Sequence, residues 1–598
     1  MRHKFIALLQ SHIFLFLLMG LYAVIISYPF RPEAMAVGHD FSFHLNRINY
    51  MAQELPNQFP VRIYGEQCFG LGTPTGIYYP SLFLYIPAFL HFLGLSDVAA
   101  YGILGLLLNI TTIYVNYWAF SRLFESHGTG VVAALFYEFF LYRLIDFYSR
   151  SALGEMIAMT FFPAACISIW LWLSRGGKYW VQTVIFCTFI LQSHIISGIY
   201  LFGVALVLVV WQREKILSRP NRSGFLKVLL FLVLLNAWVY VPIIWCIKHI
   251  HATMQDLWLP LQATTFVSSS WLFDLQGFMG WGAFFMLSIS LVGVIWQRKN
   301  IPMSELKLFF GMFLLGIFFT CATLDFFPWH KVQHIPYIGY RLSFMQFPYR
   351  LTTFTAVAFT ICVCVGLNCY ARKISKYVFC SVVALLFLVM TVSNFNSLYT
   401  MSGKFYGDGD FDLVQFNASL QIRDLTDKEV YKNTFPLDGN ILDYVYSDLV
   451  AEPSQLITEN GRIRYVSLAA YLNARDKALG KFSQQQQNYT MPPYITNFSR
   501  QGTHAEFDSN LTAAAPFNLP MLYYPGYAAY LSDGQKVDVT EAPGHNLQIN
   551  LPPGANHVTL KYEGLRLFRI MDMVSFVSLA VFVFLIIRDR RKNQCHIK

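Results

Sequence analysis

Charged residues are scarce in this sequence. Asp, Glu, Lys and Arg make up 13% of the 598 residues, whereas hydrophobic residues make up 55%. A soluble globular chain carries about 25% charged residues. Apolar runs of roughly 15 to 20 residues recur along the chain, and most are long enough to cross about 30 Å of bilayer hydrocarbon. The composition therefore excludes an ordinary soluble protein and predicts one that crosses a membrane many times.

Disulfide and zinc motifs are missing as well, and so is a P-loop. The chain has ten cysteines, but several lie inside apolar runs and none lies between Asn394 and Leu565. No CxxC and no Cys/His spacing typical of a zinc site occurs. The glycine-rich stretch Gly70–Gly76 lacks the Gly-Lys-Ser/Thr ending of a P-loop. These absences exclude a disulfide framework in the polar C-terminal stretch and a P-loop in the glycine-rich stretch.

The basic residues predict the topology. A first apolar helix follows the basic N-terminus without a small-residue cleavage site, so we expect this helix to be retained. Basic residues fall in alternate loops and in the tail 588–592, which the positive-inside rule places in the cytoplasm. The net charge of +10 lies in these clusters, so a nucleic-acid partner is not expected. Both termini are predicted to be cytoplasmic.

About twelve spans are predicted from the apolar runs. They are His12–Tyr28, Val98–Phe120, Gly128–Tyr142, Glu155–Leu173, Trp180–Gln192, Ile195–Trp211, Val228–Cys246, Phe278–Trp296, Leu308–Leu324, Leu351–Leu367, Val378–Val392 and Met573–Ile587. Counting the further run Ser81–Leu95 would put the basic tail outside. We therefore assign Ser81–Leu95 to a re-entrant or interfacial helix.

These spans divide the chain into three predicted regions. Residues 1–393 form a transmembrane region whose first outer loop, 31–97, is large. Residues 394–565 form a soluble, mostly β region outside the cytoplasm. Residues 566–598 form the last span and the basic tail. A short outer loop is expected over Arg143–Gly154.

Sequence patterns in the soluble region predict strands. Leu547, Ile549 and Leu551 alternate with polar residues, and the same alternation returns after the turn Pro552–Gly554. An apolar period of two bounded by turn residues is typical of antiparallel hairpins with one buried face. The stretch Gly461–Val466 is a further predicted strand. We expect a β-sandwich-like fold.

The first outer loop begins with a polar cluster. On a helix, Asp40 and His44 share a face and Arg47 lies one turn further on. Such a cluster suits proton abstraction by Asp40, with His44 or Arg47 tuning its acidity. Asp40 and His44 would equally suit a divalent metal, although two ligands are weak evidence. The alternative without a function is a solvated interfacial helix with an internal ion pair.

Charged residues also flank the predicted loop Arg143–Gly154. Glu155 is expected in the first turn of a helix, where the dipole favours an anion, and Arg150 lies just before it. Helix capping alone would also explain Glu155. Glu138 and Arg143 lie in or beside a predicted span, so they are expected either to serve a function or to pair with each other.

A third polar group precedes a late span. Pro348 is expected to start this helix, and Arg341 and Arg350 lie near its positive end. That is a suitable place for a phosphate, and snorkelling to lipid headgroups is the alternative. The lone His194 between two short spans is expected to be structural.

The order of these motifs resembles one bacterial family. Gly-His-Asp-x-x-x-His-x-x-Arg follows the first helix, Tyr-Ser-Arg-x-x-Leu-Gly-Glu lies in the second outer loop, and Gln-Phe-Pro-Tyr-Arg precedes a late span. The C-terminal Tyr-Pro-Gly-Tyr and Leu-Pro-Pro-Gly stretches agree with it. Over nearly its whole length the chain resembles the YfhO-like multispanning membrane proteins. Some relatives carry the label 6-pyruvoyl-tetrahydropterin synthase-related, although the zinc-histidine pattern of that synthase is missing here.

That family is similar in layout to the GT-C glycosyltransferases. The resemblance implies many spans, an acidic residue in the first outer loop, and sugar transfer from a polyprenyl-phosphate carrier at the outer leaflet. By the same resemblance Asp40 corresponds to the first-loop acid, and Glu155 is a second acid by position only. Many such enzymes have paired acids, whereas here His39 precedes Asp40, which leaves metal dependence open.

We therefore expect a glycosyltransferase of the bacterial cytoplasmic membrane, with Asp40 deprotonating the acceptor and Arg341 and Arg350 holding the donor phosphate. The candidate catalytic residues are Asp40, His44 and Glu155, and the candidate substrate-binding residues are His39, Arg47, Arg150, Arg341, Gln346 and Arg350. Expected partners are a lipid-linked sugar donor, an envelope glycan or lipid acceptor, and membrane lipids. The cofactor is unknown, with a divalent metal as one option. The alternatives are a lipid or polysaccharide transporter and a non-catalytic subunit of envelope assembly.

Overall fold

The structure, a computed structural model, is mostly helical with β-sheets near the C-terminus. The described residues are 12–27, 40–175, 178–214, 219–253, 280–336, 339–342, 345–405, 447–450, 456–459, 462–465 and 468–595. The predicted soluble region begins at residue 394, inside a helix that runs to Phe405. Residues 406–446 of that region lie outside the described residues.

Apolar helices make up most of the first 405 residues. Their backbone groups bond within each helix, as hydrocarbon surroundings require. The helices are α1 (His12–Ile26), α2 (Phe41–Glu54), α3 (Thr75–Tyr78), α4 (Tyr85–Phe92), α5 (Asp97–Phe124), α6 (His127–Glu138), α7 (Leu141–Leu144), α8 (Leu153–Ser174), α9 (Trp180–Leu191), α10 (Ile195–Trp211), α11 (Arg219–His249), α12 (Trp281–Gln297), α13 (Met303–Ala322), α14 (Trp329–Gln333), α15 (Gly339–Leu342), α16 (Thr352–Ala371), α17 (Lys376–Phe405), α18 (Ser447–Val450), α19 (Leu468–Asn488) and α20 (Arg566–Cys595).

Seven helices of the described part are long and apolar enough to cross a membrane, judged by length and composition. They are α5, α8, α11, α13, α16, α17 and α20. The prediction of a mostly helical chain with several helices that could cross a membrane is thereby confirmed. Each of the other predicted spans also falls on a helix, but a shorter one. A count of about twelve spans therefore stays a prediction.

The run Ser81–Leu95 does not form a long helix. It contains the 3-10 turn Leu82–Leu84 and α4, which has eight residues. A helix of this length covers about 12 Å at 1.5 Å per residue, which is far less than the hydrocarbon thickness. Ile86, Phe89 and Phe92 of α4 are exposed. These features agree with an interfacial or re-entrant helix and not with a span.

The C-terminal β region consists of antiparallel sheets. Its strands are β1 (Leu456–Glu459), β2 (Arg462–Tyr465), β3 (Ile495–Gln501), β4 (His504–Leu511), β5 (Ala515–Leu522), β6 (Tyr527–Leu531), β7 (Lys536–Val537), β8 (Val539–Glu541), β9 (Asn546–Leu551) and β10 (Gly554–Tyr562). The sheet orders are β1-β2, β3-β4-β10-β6-β7 and β5-β9-β8. The predicted strand Gly461–Val466 corresponds to β2.

One hydrophobic core joins the two larger sheets. The alternating residues of β9 and β10, from Leu547 to Tyr562, are buried as their period of two predicts. Phe507 of β4 and Phe517 of β5 meet across this core, with ring centroids 5.1 Å apart. The prediction of antiparallel hairpins with one buried face is confirmed.

The β region docks on the loop that follows α2. Glu54 is buried and accepts hydrogen bonds from the Gly65 amide at 2.9 Å and the Thr503 hydroxyl at 2.7 Å. A Cβ atom added to Gly65 would overlap the backbone of Gly502, and one added to Gly502 would overlap the Glu54 carboxylate. This contact, which we call the glycine contact, brings the two backbones together without side chains between them.

An ion pair joins the same loop to α20. Arg62 donates two hydrogen bonds to the Asp572 carboxylate, at 3.1 and 2.6 Å. Such a bidentate arrangement fixes the direction of both side chains as well as their distance. The first loop, the β region and the last helix are therefore tied together.

Candidate functional site

The chain stays buried and helical between α6 and α8. The predicted span Gly128–Tyr142 ends at Glu138, and α7 is followed by a π-helical turn over Ile145–Arg150. The predicted short outer loop Arg143–Gly154 is a buried and largely helical connection, because its charged side chains pair inside the protein; its side of the membrane stays a prediction. We call residues 139–152 the buried connector. Irregular backbone at membrane depth is tolerated where protein surrounds it, and π-turns are frequent at functional sites.

Four ionisable side chains meet at the end of the buried connector. Arg150 Nη1 lies 2.5 Å from Asp146 Oδ1 and 3.0 Å from Glu155 Oε2. Arg350 Nε lies 3.0 Å from the same Glu155 oxygen, and the Tyr142 hydroxyl donates to the other Glu155 oxygen at 2.6 Å. Asp146, Arg150, Glu155 and Arg350 are all buried, and we call them the charge cluster. Two cations beside two carboxylates are tolerated in the interior because each has a partner.

Arg350 reaches this cluster from a distant part of the sequence. It lies in a 3-10 turn that Pro348 begins and that leads into α16, close to where a helix start was predicted. Its Nη1 donates to Gln346 Oε1 at 2.7 Å and to the Met345 carbonyl oxygen at 3.1 Å. No described residue accepts a hydrogen bond from its Nη2. Arg350 is therefore oriented by its partners and keeps one nitrogen for a further acceptor.

Asp40 lies beside the charge cluster at the start of α2. Its amide donates to the Arg150 carbonyl oxygen at 2.8 Å, so the backbone holds this residue against the buried connector. The side chain does not cap the helix, and it is only half-buried. Within the described ranges no side chain or backbone group pairs with its carboxylate. Asp40 is thus an acid that remains open to a ligand.

His44 and Arg47 lie on the following turns of α2, and both are buried. Arg47 Nη1 lies 3.3 Å from His44 Nδ1, and Arg47 Nη2 lies 3.4 Å from the carbonyl oxygens of Tyr79 and Pro80. Burial holds the pKa of His44 well below its usual value, and Arg47 and His194 lower it further. His44 is therefore neutral and accepts a hydrogen bond from Arg47 at Nδ1.

A metal at Asp40 and His44 is not favoured by these contacts. His44 Nδ1 uses its lone pair on Arg47, and a guanidinium beside the ring repels a metal cation. In the part of the chain that the structure describes, no group of three or more His, Cys, Asp or Glu side chains is placed to hold a metal ion. Of the two residues predicted as possible metal ligands, His44 instead accepts a hydrogen bond from Arg47.

Three residues near the site had no predicted functional role. Asp146 joins the charge cluster, and its spacing of four from Arg150 was the available signal. Tyr79 packs between α2 and His194, with ring centroids 5.7 Å from His44 and 6.5 Å from His194. His194 caps α10 through Ser197, and burial, helped by Arg350, lowers the pKa of its imidazole to about 3.

A second buried ion pair lies deeper in the bundle. Arg143 Nη1 is 2.8 Å from Glu138 Oε1, and Arg143 Nη2 donates to Asn109 at 3.1 Å and Thr112 at 2.8 Å. Of the two roles expected for Glu138 and Arg143, the structure shows the mutual pairing. This pair anchors the start of the buried connector.

Two predicted site residues are not placed by the structure. His39 lies outside the described residues, and only the backbone of Arg341, in α15, is described. The structure brings together Asp40, Arg150, Glu155, Gln346 and Arg350 around the buried connector, and it places His44 and Arg47 along α2 from Asp40.

No family model matches the sequence, and no curated protein matches it.

Proposed function

We propose that the protein is a membrane glycosyltransferase that transfers a sugar from a polyprenyl-phosphate donor to an acceptor of the cell envelope. Asp40 carries this proposal. Its carboxylate is half-buried, is held in place by the Arg150 carbonyl, and pairs with no described residue. A fixed carboxylate that is still open is what a general base requires. The surrounding charges of Arg150, Glu155 and Arg350 are already satisfied by one another.

The proposed step forms one bond and breaks another. The acceptor hydroxyl oxygen bonds to the anomeric carbon of the donor sugar, while the bond from that carbon to the phosphate oxygen breaks. The electron pair leaves with the polyprenyl phosphate, and Asp40 takes the hydroxyl proton. General base catalysis of this kind contributes roughly 10²–10⁴-fold to a rate. Arg350 offers Nη2 to the leaving phosphate, and Arg150 and Glu155 position Arg350.

The proposed location follows from charge patterning. We place the site and the sandwich-like β region on the outer face of a bacterial cytoplasmic membrane, and both termini in the cytoplasm, because the basic clusters fall in alternate loops. The β region, which docks on the first loop near α2, would then present or bind the acceptor glycan. This arrangement suits a lipid-linked donor that is supplied in the outer leaflet.

A non-catalytic subunit of envelope assembly is the second candidate. The mutual pairing of Arg150, Glu155 and Arg350 favours it, because these contacts already give each side chain a structural role. The two candidates differ in what they require of Asp40. A transferase needs its carboxylate in every turnover, whereas a subunit would tolerate its loss.

Asp40→Asn tests the proposed function. In a deletion strain that carries the variant, we expect loss of the envelope-glycan modification with an unchanged amount of protein in the membrane. Asparagine keeps the shape but cannot take the proton. Asp533→Asn is the matched control, because Asp533 is exposed in a hairpin turn and, among the described residues, its side chain bonds only the Gln535 amide. Glycan modification that is normal with Asp40→Asn would contradict a transferase and leave the assembly subunit.

A further inference from the structure

Arg47 differs from the other buried arginines of the described core. Five arginines are buried, and four of them face a carboxylate within 3.1 Å. The pairs are Arg62 with Asp572, Arg143 with Glu138, Arg150 with Asp146 and Glu155, and Arg350 with Glu155. Arg47 is 0% exposed, and no carboxylate in the described ranges pairs with it.

The contacts of Arg47 are weak ones. Its hydrogen bonds to His44, Tyr79 and Pro80 are 3.3 to 3.4 Å long, and the buried Tyr64 hydroxyl is a further neutral neighbour. Its Nε has no hydrogen-bond partner among the described atoms. The guanidinium carbon lies 4.1 Å from the centroid of the Tyr79 ring and 5.6 Å from that of Phe43. Aromatic faces attract a cation, but this attraction is weaker than the free-energy cost of removing the cation from water. The positive charge of Arg47 is therefore not balanced by a negative charge among the described residues.

We propose that Arg47 binds the phosphate of a lipid ligand. This inference rests on the proposed function and deepens it, since it adds Arg47 to Arg350 as a second residue that binds the phosphate of the donor or released carrier. A guanidinium can give two parallel hydrogen bonds to a phosphate, and here a phosphate oxygen would replace the distant carbonyls of Tyr79 and Pro80. Because Arg47 is fully buried, binding requires the aromatic cover of Phe43 and Tyr79 to move.

The surroundings indicate a phosphate that is attached to a lipid. The carbonyls of Tyr79 and Pro80, which face Arg47, immediately precede the turn Leu82–Leu84 and α4. The exposed apolar residues of α4 include Ile86, Phe89 and Phe92, at 41%, 54% and 57%. A hydrocarbon chain that lies along α4 would bring its headgroup toward Arg47. Free phosphate would gain nothing from this apolar face.

The test is thermal unfolding of the purified full chain in detergent with three probes. A prenyl monophosphate is expected to raise the unfolding temperature, because a ligand that binds only the folded state stabilises it. The matching prenol and inorganic phosphate, at equal concentration, are expected to leave the temperature unchanged. An equal rise with inorganic phosphate would overturn the lipid assignment, and no rise with the prenyl monophosphate would overturn the site.

Substitutions assign the effect to Arg47. Arg47→Gln is expected to abolish the rise, whereas Arg62→Gln, which changes a buried but paired arginine, should keep it. A rise of equal size in Arg47→Gln would overturn the proposal. Should Arg47→Gln not fold, Arg47→Lys replaces it: lysine keeps the charge but not the two parallel bonds, so the rise should shrink, and an undiminished rise would overturn the proposal.

A second measurement uses the ligand-free protein, in which substitutions of Arg47 and Arg62 are expected to change the unfolding temperature differently. Arg47→Met removes an unpaired cation, so it is expected to keep or raise the unfolding temperature without lipid, whereas Arg62→Met should lower it. An equally large fall in both variants would show that Arg47 is a structural residue.

Failure of this inference can be separated from failure of the proposed function. An Arg47-dependent rise in a protein whose Asp40→Asn variant still supports glycan modification would reject the transferase and keep the phosphate site. Loss of modification in Asp40→Asn together with a rise that does not depend on Arg47 would reject the phosphate site alone.

Discussion

Arg143 and Arg47 are both buried, but their surroundings differ. Arg143, in the helical bundle, pairs with Glu138 and donates to Asn109 and Thr112. Arg47, in the first-loop region, faces aromatic rings and distant carbonyl oxygens. The bundle pairs its cation within the fold, whereas the first-loop region keeps a cation whose partner is not part of the described fold. The difference separates a charge that holds the protein together from a charge that we propose is paired by a ligand.

The acids show the same contrast. Glu155 accepts hydrogen bonds from Arg150, Arg350 and Tyr142, whereas Asp40 has no partner for its carboxylate among the described groups. Asp40 is nevertheless fixed through its own amide. Position and pairing are thus controlled separately: the backbone sets where Asp40 lies, and its side chain remains unpaired.

The largest effect on stability is expected when Arg143 loses its carboxylate partner and so becomes, like Arg47, a buried arginine without an acid. Glu138→Leu leaves Arg143 buried without its acid, and breaking a buried pair in this way costs about 3–5 kcal/mol. The unfolding temperature of the purified protein in detergent should fall strongly. The double variant Glu138→Leu, Arg143→Leu serves as control and should recover part of the loss, since it removes both charges. Unchanged stability of Glu138→Leu would show that the bundle does not depend on this pair.

A smaller effect is expected from acid. The pKa of His194 is about 3 in the folded protein and about 6.5 in an unfolded chain, so the unfolded chain binds the extra proton between these values. The stability that comes from neutral His194 is complete above pH 6.5 and is lost as the pH falls toward 3, at about 1.4 kcal/mol per pH unit.

The test compares unfolding temperatures at pH 7.5 and 5.5. His194→Asn keeps a capping side chain and removes the titration, so this variant should lose less stability on acidification than the parent. His44 is present in both proteins, so the comparison isolates His194. Equal losses in the two proteins would refute the assignment.

The smallest effect is expected at Arg350, which has partners and a free Nη2. Arg350→Lys keeps the charge but loses the planar set of donors. We expect donor saturation in membranes to shift to several-fold higher concentrations of polyprenyl-phosphate sugar, an effect of about 1 kcal/mol. Arg372→Lys is a control, because Arg372 is exposed and pairs with Glu305. A lysine variant with the parent's donor dependence would make Arg350 a structural anchor.

The sequence predicted helix positions well because hydropathy is a local property. Its main error was the run Gly128–Tyr142, whose apolar residues continue beyond the helix end at Glu138. The break there accompanies the pairing of Glu138 with Arg143 and of Arg143 with Asn109 and Thr112 of α5. Contacts with another helix, such as these with α5, do not change the hydrophobic periodicity of the segment, so the sequence of the segment does not reveal them.

The site was predictable as a set of charged residues but not as a network. The sequence singled out Arg150, Glu155 and Arg350, but Glu155 and Arg350 are 195 residues apart, and no spacing rule joins them. Asp146 lies in a π-helical turn, which residue propensities do not predict. The unpaired state of Arg47 is also invisible in sequence, because it depends on which carboxylates the fold brings near.

The glycine contact limits how this chain can vary and be divided. A methyl group at Gly65 would meet the backbone of Gly502, and one at Gly502 would meet the carboxylate of Glu54. At Gly65 the smallest chiral residue would push the two backbones apart, and at Gly502 it would displace the Glu54 carboxylate and strain a left-handed backbone with φ of +62°. Natural variation should therefore accumulate around this point and spare it. A fragment cut between the helices and the β region would expose Glu54 without the Thr503 hydroxyl, so expression trials should keep the first loop and the β region in one polypeptide.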